Sequence, residues 1–220
     1  MTVLVIAAHP DDEVLGCGGV IARHVAEGED VHVLIVTRAG PPLFREEDVA
    51  VTWEEMHKAH LLLGVREMHA LKLPAPKLDT IPGHELADSI RRVFVEVQPE
   101  TVYVHHGGDI HLDHQAVYHA TLVAARPINN CSVKRILCYE TLSETEWASP
   151  IGDHAFVPNV FVDISEYLER KLKAMACYQT QLQEQPHSRS LGTLRVLAEF
   201  RGNTVGVGAA EAFMLVREVK

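Results

Sequence analysis

A chain of 220 residues with 47% hydrophobic content is long enough for one α/β unit with a sizeable core and too short to need two. Its formal net charge of −10 disfavours nucleic acid as a partner, because phosphate backbones are held by basic patches and none is visible. Cys17, Cys131, Cys138 and Cys177 form no CxxC pair and no regular framework, which fits reduced thiols and a cytoplasmic location. Met1-Thr2 leads directly into a short apolar segment without a basic flank, and no apolar run approaches ~18 residues, so neither a signal peptide nor a membrane span is expected.

The elements alternate along the chain. An apolar strand over Val3 to Ala8 precedes a helix from Val14 to Glu27, and Asp30 to Thr37 forms a second buried strand. A Gly/Pro-containing loop, Arg38 to Asp48, leads to a helix over Ala50 to Leu63 that Gly64 ends. Val65 to Leu73 is a weaker strand, Lys72 to Gly83 a proline-rich loop, His84 to Val97 a helix and Thr101 to His106 a strand. Beyond a helix ending near Ala125 the pattern loosens. Val133 to Glu140 is expected as a strand, Thr141 to Pro158 as a long loop, Ile164 to Gln183 and Leu191 to Phe200 as helices, and Phe213 to Val219 as a closing strand. With no repeat and no linker, residues 1–220 are expected to form a single domain. The alternation predicts a mostly parallel sheet with helices on both faces, and ligands in such folds bind at the carboxyl ends of strands.

Two strand ends carry chemistry. The first strand runs into His9-Pro10-Asp11-Asp12-Glu13, an imidazole and adjacent carboxylates, both ordinary ligands for Zn²⁺ and similar ions. Asp11 and Asp12, being neighbours, cannot point the same way from an extended backbone, so one can ligate while the other faces a bound water. Pro10 stiffens the turn. A hundred residues on, the strand ending at His106 leads through Gly107-Gly108-Asp109-Ile110 to His111-Leu112-Asp113-His114. His111 and His114 are three apart on a helical turn, with Asp113 available to hold one of them through its second ring proton. His114 would complete a His-Asp-His set with open positions, as a catalytic metal needs. His57 and His60 have the same spacing but no strand end or adjacent aspartate, and are expected to be surface or half-buried helix residues.

Ala8-His9-Pro10-Asp11-Asp12-Glu13 with Gly16-Cys17-Gly18-Gly19, together with Asp109-Ile110-His111-Leu112-Asp113-His114, resembles the PIG-L/LmbE family of metal-dependent N-deacetylases. Supporting likeness extends to Thr37-Arg38-Ala39-Gly40, Leu63-Gly64-Val65 and Pro186-His187-Ser188-Arg189-Ser190. The resemblance implies a Rossmann-like fold, one Zn²⁺ per chain, and removal of acetyl from a small-molecule N-acetylated amino sugar or its conjugate. It also implies a homo-oligomer, trimer or hexamer. His9, Asp12 and His114 would be the ligands, Asp11 the general base, and His111 the electrophilic or acid partner, its cationic form favoured by Asp113 if the two touch. Trp53 stands where many relatives have a substrate-binding arginine, and Asp109 where some have a tyrosine. Arg38, Asp79, Asp109 and Arg189 are candidates for contacts to substrate, and arginines would suit a phosphate or carboxylate such as that of a nucleotide-linked sugar. Other metal-dependent amidohydrolases stay open as alternatives. A two-histidine, one-carboxylate set also occurs in Fe(II) oxygenases, which are mostly all-β, and Gly16 to Gly19 fails the spacing of a dinucleotide-binding loop.

Overall fold

In the computed structural model, which describes residues 1–128 and 131–220, seven strands form one sheet. They are β1 (Thr2–Ala7), β2 (Asp30–Arg38), β3 (Glu67–Pro74), β4 (Thr101–His105), β5 (Arg135–Tyr139), β6 (Val160–Asp163) and β7 (Ala210–Glu218). Their order is β3-β2-β1-β4-β5-β7-β6. The first five are parallel, with Val5 opposite Val33 on one side and Tyr103 on the other, while β7 runs antiparallel to both β5 and β6. A mostly parallel sheet must be covered on both faces, and β1 shows it: Val3, Val5 and Ala7 join one apolar cluster and Leu4, Ile6 and Ala8 the other.

The first cluster packs under α1 (Asp12–Ala26), α2 (Glu46–Leu63), α5 (Leu168–Met175) and α6 (Leu191–Asn203), and the second under α3 (Gly83–Val97) and α4 (Leu112–Ala124). Each fully buried Leu or Ile on these faces contributes about 1.5–3 kcal/mol. Helix α1 lies close to the sheet: a Cβ at Gly16 would stand 2.2 Å from the Tyr139 ring. Gly16 to Gly19 lie inside α1, where Gly16 faces the sheet at Tyr139, Gly18 the Lys171 side chain of α5 and Gly19 that of Ile164, which removes the nucleotide-loop alternative. A buried pair, Lys171 and Glu211, reaches into α1 itself. Lys171 Nζ donates to the Leu15 carbonyl, and the amides of Gly19 and Val20 donate to Glu211.

The last third departs from the sequence-based elements. The helix expected over Ile164 to Gln183 is confined to Leu168–Met175, preceded by a short strand, β6, at Val160–Asp163. Beyond Met175 tertiary bonds win over helix propensity: the Tyr178 hydroxyl donates to Glu13, and the amide and hydroxyl of Thr180 donate to Glu55.

Strand order reverses between β1 and β4, since β2 and β3 lie to one side and β5 and β7 to the other. A crevice opens at the carboxyl ends of strands at such a switch point. The loops after β1 and β4 are the two that carry the histidines and carboxylates.

Candidate active site

The turn after β1 is strained and firmly held. Asp11, just before α1, has φ 104° and ψ −30°, a region that costs a non-glycine residue on the order of 1–3 kcal/mol. Its amide donates to Glu13 Oε2 at 3.1 Å, and its carbonyl accepts from the amides of Val14 and Leu15. Glu13 is buried, and its other oxygen pairs with His60 Nε2 at 3.1 Å and with the Tyr178 hydroxyl. His60 is therefore not the surface or half-buried residue expected: it is buried on the Met56-Ala59-Leu63 stripe of α2 and braces the turn. That stripe was the signal that could have found it.

After β4 the backbone fixes two imidazoles differently. His111 caps α4, its Nδ1 accepting the Asp113 amide at 3.1 Å. A ring nitrogen that accepts an N–H carries no proton, so neutral His111 holds its proton on Nε2. His114 Nδ1 lies 2.9 Å from Asp109 Oδ2 and donates to it, leaving Nε2 as a lone pair. Asp109 is fully buried and also accepts from Thr145 Oγ1 at 2.6 Å. It stands behind His114 rather than facing a substrate, because both its oxygens are taken up by that histidine and the threonine. His105 stacks on His114 with centroids 3.7 Å apart, but its Nε2 accepts the Ala8 amide at 2.8 Å and has no lone pair to offer.

Three donors converge where these loops meet. His9 Nδ1 and His114 Nε2 each lie 3.3 Å from Asp12 Oδ2. Ligands 2.0–2.1 Å from a tetrahedral ion stand about 3.3 Å from one another. The other oxygen of Asp12 is buried without a hydrogen-bond partner among the described residues. His9 Nε2 is in turn 3.0 Å from Asp113 Oδ2, the carboxylate support that a ligating histidine commonly has. The residues therefore fit a divalent cation. Asp113 was expected to be available to hold the second ring proton of His111 or His114; its carboxylate is engaged instead by His9 and by the Leu78 amide, and its own amide reaches His111. His9, His111 and Asp113 form a second close set, but there His111 Nδ1 is committed to a backbone amide.

The electrostatics mark the same point. Burial opposes a charge on His114, yet Asp12 and Asp109 outweigh it and lift its pKa to about 10. His9 is likewise raised against burial by Asp113 and Asp12, and Asp12 is held well below the usual carboxylate range, against burial, by His114 and His105. Positive charge is favoured between the two imidazoles, and a divalent ion supplies it in place of their protons. Burial pushes Asp11 up to about 8, with Arg189 pulling it back, whereas burial and the neighbouring His9 and His114 push His111 down to about 4.

A crevice of about 530 Å³ leads to this point, lined by His9, Asp11 and His111 at its inner end and by Phe44, Val49 and Trp53 along one wall. Arg189 lines it too, its Nη1 3.1 Å from Asp11 Oδ2 and its Nη2 3.5 Å from Glu144. Glu144, on the long loop after β5, went unnoticed in the sequence, where nothing in its spacing singles it out. Arg38 does not line the crevice and pairs with Glu46. Asp79 is exposed on a short helical turn and is not brought to the crevice, because that turn is oriented by the burial of Leu78 beside it. Arg45 pairs with Asp48, and Arg126 lies at a separate surface hollow with Phe94 and Ile128.

The PIG-L profile, described as GlcNAc-PI de-N-acetylase, matches residues 4–125. The chain is 32% identical over 182 residues, 79% of its length and 88% of the relative's, to the uncharacterized deacetylase YaiS of Escherichia coli K12. It is 27% identical to the diacetylchitobiose deacetylase of Thermococcus kodakarensis, covering 97% of this chain and 82% of that protein. In fold it is similar to the N,N'-diacetylchitobiose deacetylase of Pyrococcus horikoshii, with a TM-score of 0.80 at 24% identity, covering 98% of this chain and 84% of that one. The profile spans both histidine-bearing loops, and the chain belongs to the PIG-L family of de-N-acetylases.

Proposed function

We propose that this protein hydrolyses the acetamide of an N-acetylated amino sugar or its conjugate, with Zn²⁺ or a similar divalent ion held by His9, Asp12 and His114. The observation that carries this is the convergence of two loops, a hundred residues apart, on one donor set beside a strained, buried Asp11. The names of the relatives, deacetylases of acetylated sugars among them, support the same chemistry.

Bound there, the ion would lower the pKa of a coordinated water and polarise the acetyl carbonyl. The chain's own residues supply the rest. Asp11 takes the proton from the attacking water, and Arg189, 3.1 Å away, keeps it oriented and favours its ionised form. His111 acts as a neutral donor: with Nδ1 committed to the Asp113 amide, its Nε2–H is free to meet the oxygen on which charge develops. The departing nitrogen gains its proton from Asp11, which has taken it from the attacking water. Asp109 and Asp113 are positioning residues that fix His114 and His9 in the tautomers their places require.

The test is to load the purified protein with zinc, incubate it with a panel of N-acetylated sugars, and follow acetate and free amine together. Release of both, lost in Asp11→Asn, is the expected result. Release from none of the panel at any zinc loading would refute the assignment.

A further inference from the structure

We infer that the crevice selects an uncharged N-acetylated glycoside bearing a flat, apolar aglycone and turns away anionic conjugates; this rests on the deacetylase reading above and names its substrate class. The acetamide must reach the inner end, where Asp11 and His111 stand, so whatever is attached to the sugar extends outward along the remaining wall. That lining joins an apolar group to the uncharged polar residues Thr37, Thr52, Thr180 and Gln181. Phe44 and Val49 approach it from the loop after β2 and the first turns of α2, Trp53 from one turn further on, and Ala75-Pro76 from the loop after β3. Phe44 keeps 46% of its surface exposed, and Trp53, although it also packs on the core, lines the opening. Of the two aromatic side chains lining the crevice, Phe44 offers a flat apolar group the contact that its exposed surface lacks.

The charges argue the same way by exclusion. Among the described residues lining the crevice, Arg189 is the one permanent cation, and it is already shared by Asp11 and Glu144. A phosphate or carboxylate bound to it would have to draw it from Asp11. Arg38 and Arg45, nearby in sequence, are both gripped through two nitrogens, by Glu46 and Asp48. The lining carboxylates Asp48 and Glu144 are paired with Arg45 and Arg189, so among the described residues of the lining an anion on the aglycone finds no cation that is not already shared with a carboxylate. The volume of about 530 Å³ is that of a site for a drug-sized molecule.

Three substrates test this: the methyl and phenyl β-glycosides of N-acetylglucosamine, and N-acetylglucosamine 1-phosphate. With zinc-loaded enzyme, kcat/KM for the phenyl glycoside should exceed that for the methyl by about tenfold or more, chiefly through KM, as an added apolar group in an apolar pocket gives. The 1-phosphate should fall below the methyl glycoside. Phe44→Ala, on a half-exposed loop position where folding is not at stake, should bring the phenyl-to-methyl ratio toward one. Equal phenyl and methyl values, a preferred 1-phosphate, or an unchanged ratio in Phe44→Ala would each overturn the inference. Calorimetric binding to zinc-loaded Asp11→Asn separates the two claims. Phenyl preference in binding without acetate release from the unaltered enzyme would refute deacetylation and sustain the pocket; acetate release without preference would refute the pocket alone.

Discussion

The bond between His114 Nδ1 and Asp109 Oδ2 can be altered in two graded ways. Asp109→Asn keeps an oxygen of the same shape, which can still accept the ring N–H while the new amide turns to Thr145 Oγ1; only the charge is lost. Asp109→Ala removes the acceptor and leaves a buried imidazole free to take the wrong tautomer. Partners of metal-ligating histidines are worth 10- to 100-fold in metal affinity, so the asparagine variant should bind zinc about 10-fold more weakly and the alanine variant about 100-fold. The latter is about 2.8 kcal/mol, within the range of about 1.5–3 kcal/mol for a hydrogen bond to a charged group. Zinc titration against a chromophoric chelator reads both, with circular dichroism to confirm that the variants are folded. Alanine binding zinc as tightly as the unaltered protein, or more tightly than asparagine, would show that His114 is not a ligand held by Asp109.

Asp11→Asn should keep zinc and lose about 10²- to 10⁴-fold in rate, the usual worth of a general base; His111→Ala should also keep zinc and slow the chemistry, and loss of the ion there would move the site to the set formed with Asp113. Arg189→Met should carry the acid limb of kcat/KM to higher pH. Arg189 lowers the pKa of Asp11, so its loss raises that pKa, and a base that works ionised is active above its pKa and fades as pH falls through it; an unmoved limb in a pH-rate series would count against this role for Asp11. Lys171→Met strands the Glu211 carboxylate in the core, which should destabilise by about 3–5 kcal/mol in urea unfolding, while adding Glu211→Gln restores part of the loss because no charge is then left unpaired. A single variant with an unshifted urea midpoint would contradict that.

The parallel half of the fold was legible, and the histidines and carboxylates that converge at its strand ends could be picked out, because each rests on local pattern. Buried strands such as Val3 to Ala8 are continuous apolar runs, and His9 to Glu13 and His111 to His114 follow strand ends. What could not be read depends on distance. Glu13, His60 and Tyr178 meet from three separate elements, and no spacing links them. The partner of Asp113 was not legible for a related reason: an aspartate two residues from His111 and one from His114 is near both in sequence, but a side chain at the start of α4 reaches across to His9, while His111 caps the helix with its ring. The helix expected through Gln183 failed because Tyr178 and Thr180 bond to side chains on other elements.

The Lys171–Glu211 wedge in α1 ties the order of synthesis to the completion of the turn at Asp11. Both histidine loops are synthesised once residue 114 is made, yet the Leu15 carbonyl and the Gly19 and Val20 amides find their side-chain partners only when residues 171 and 211 follow. A nascent chain short of its final strand would carry every proposed ligand while the helix beneath them lacked its last fastening.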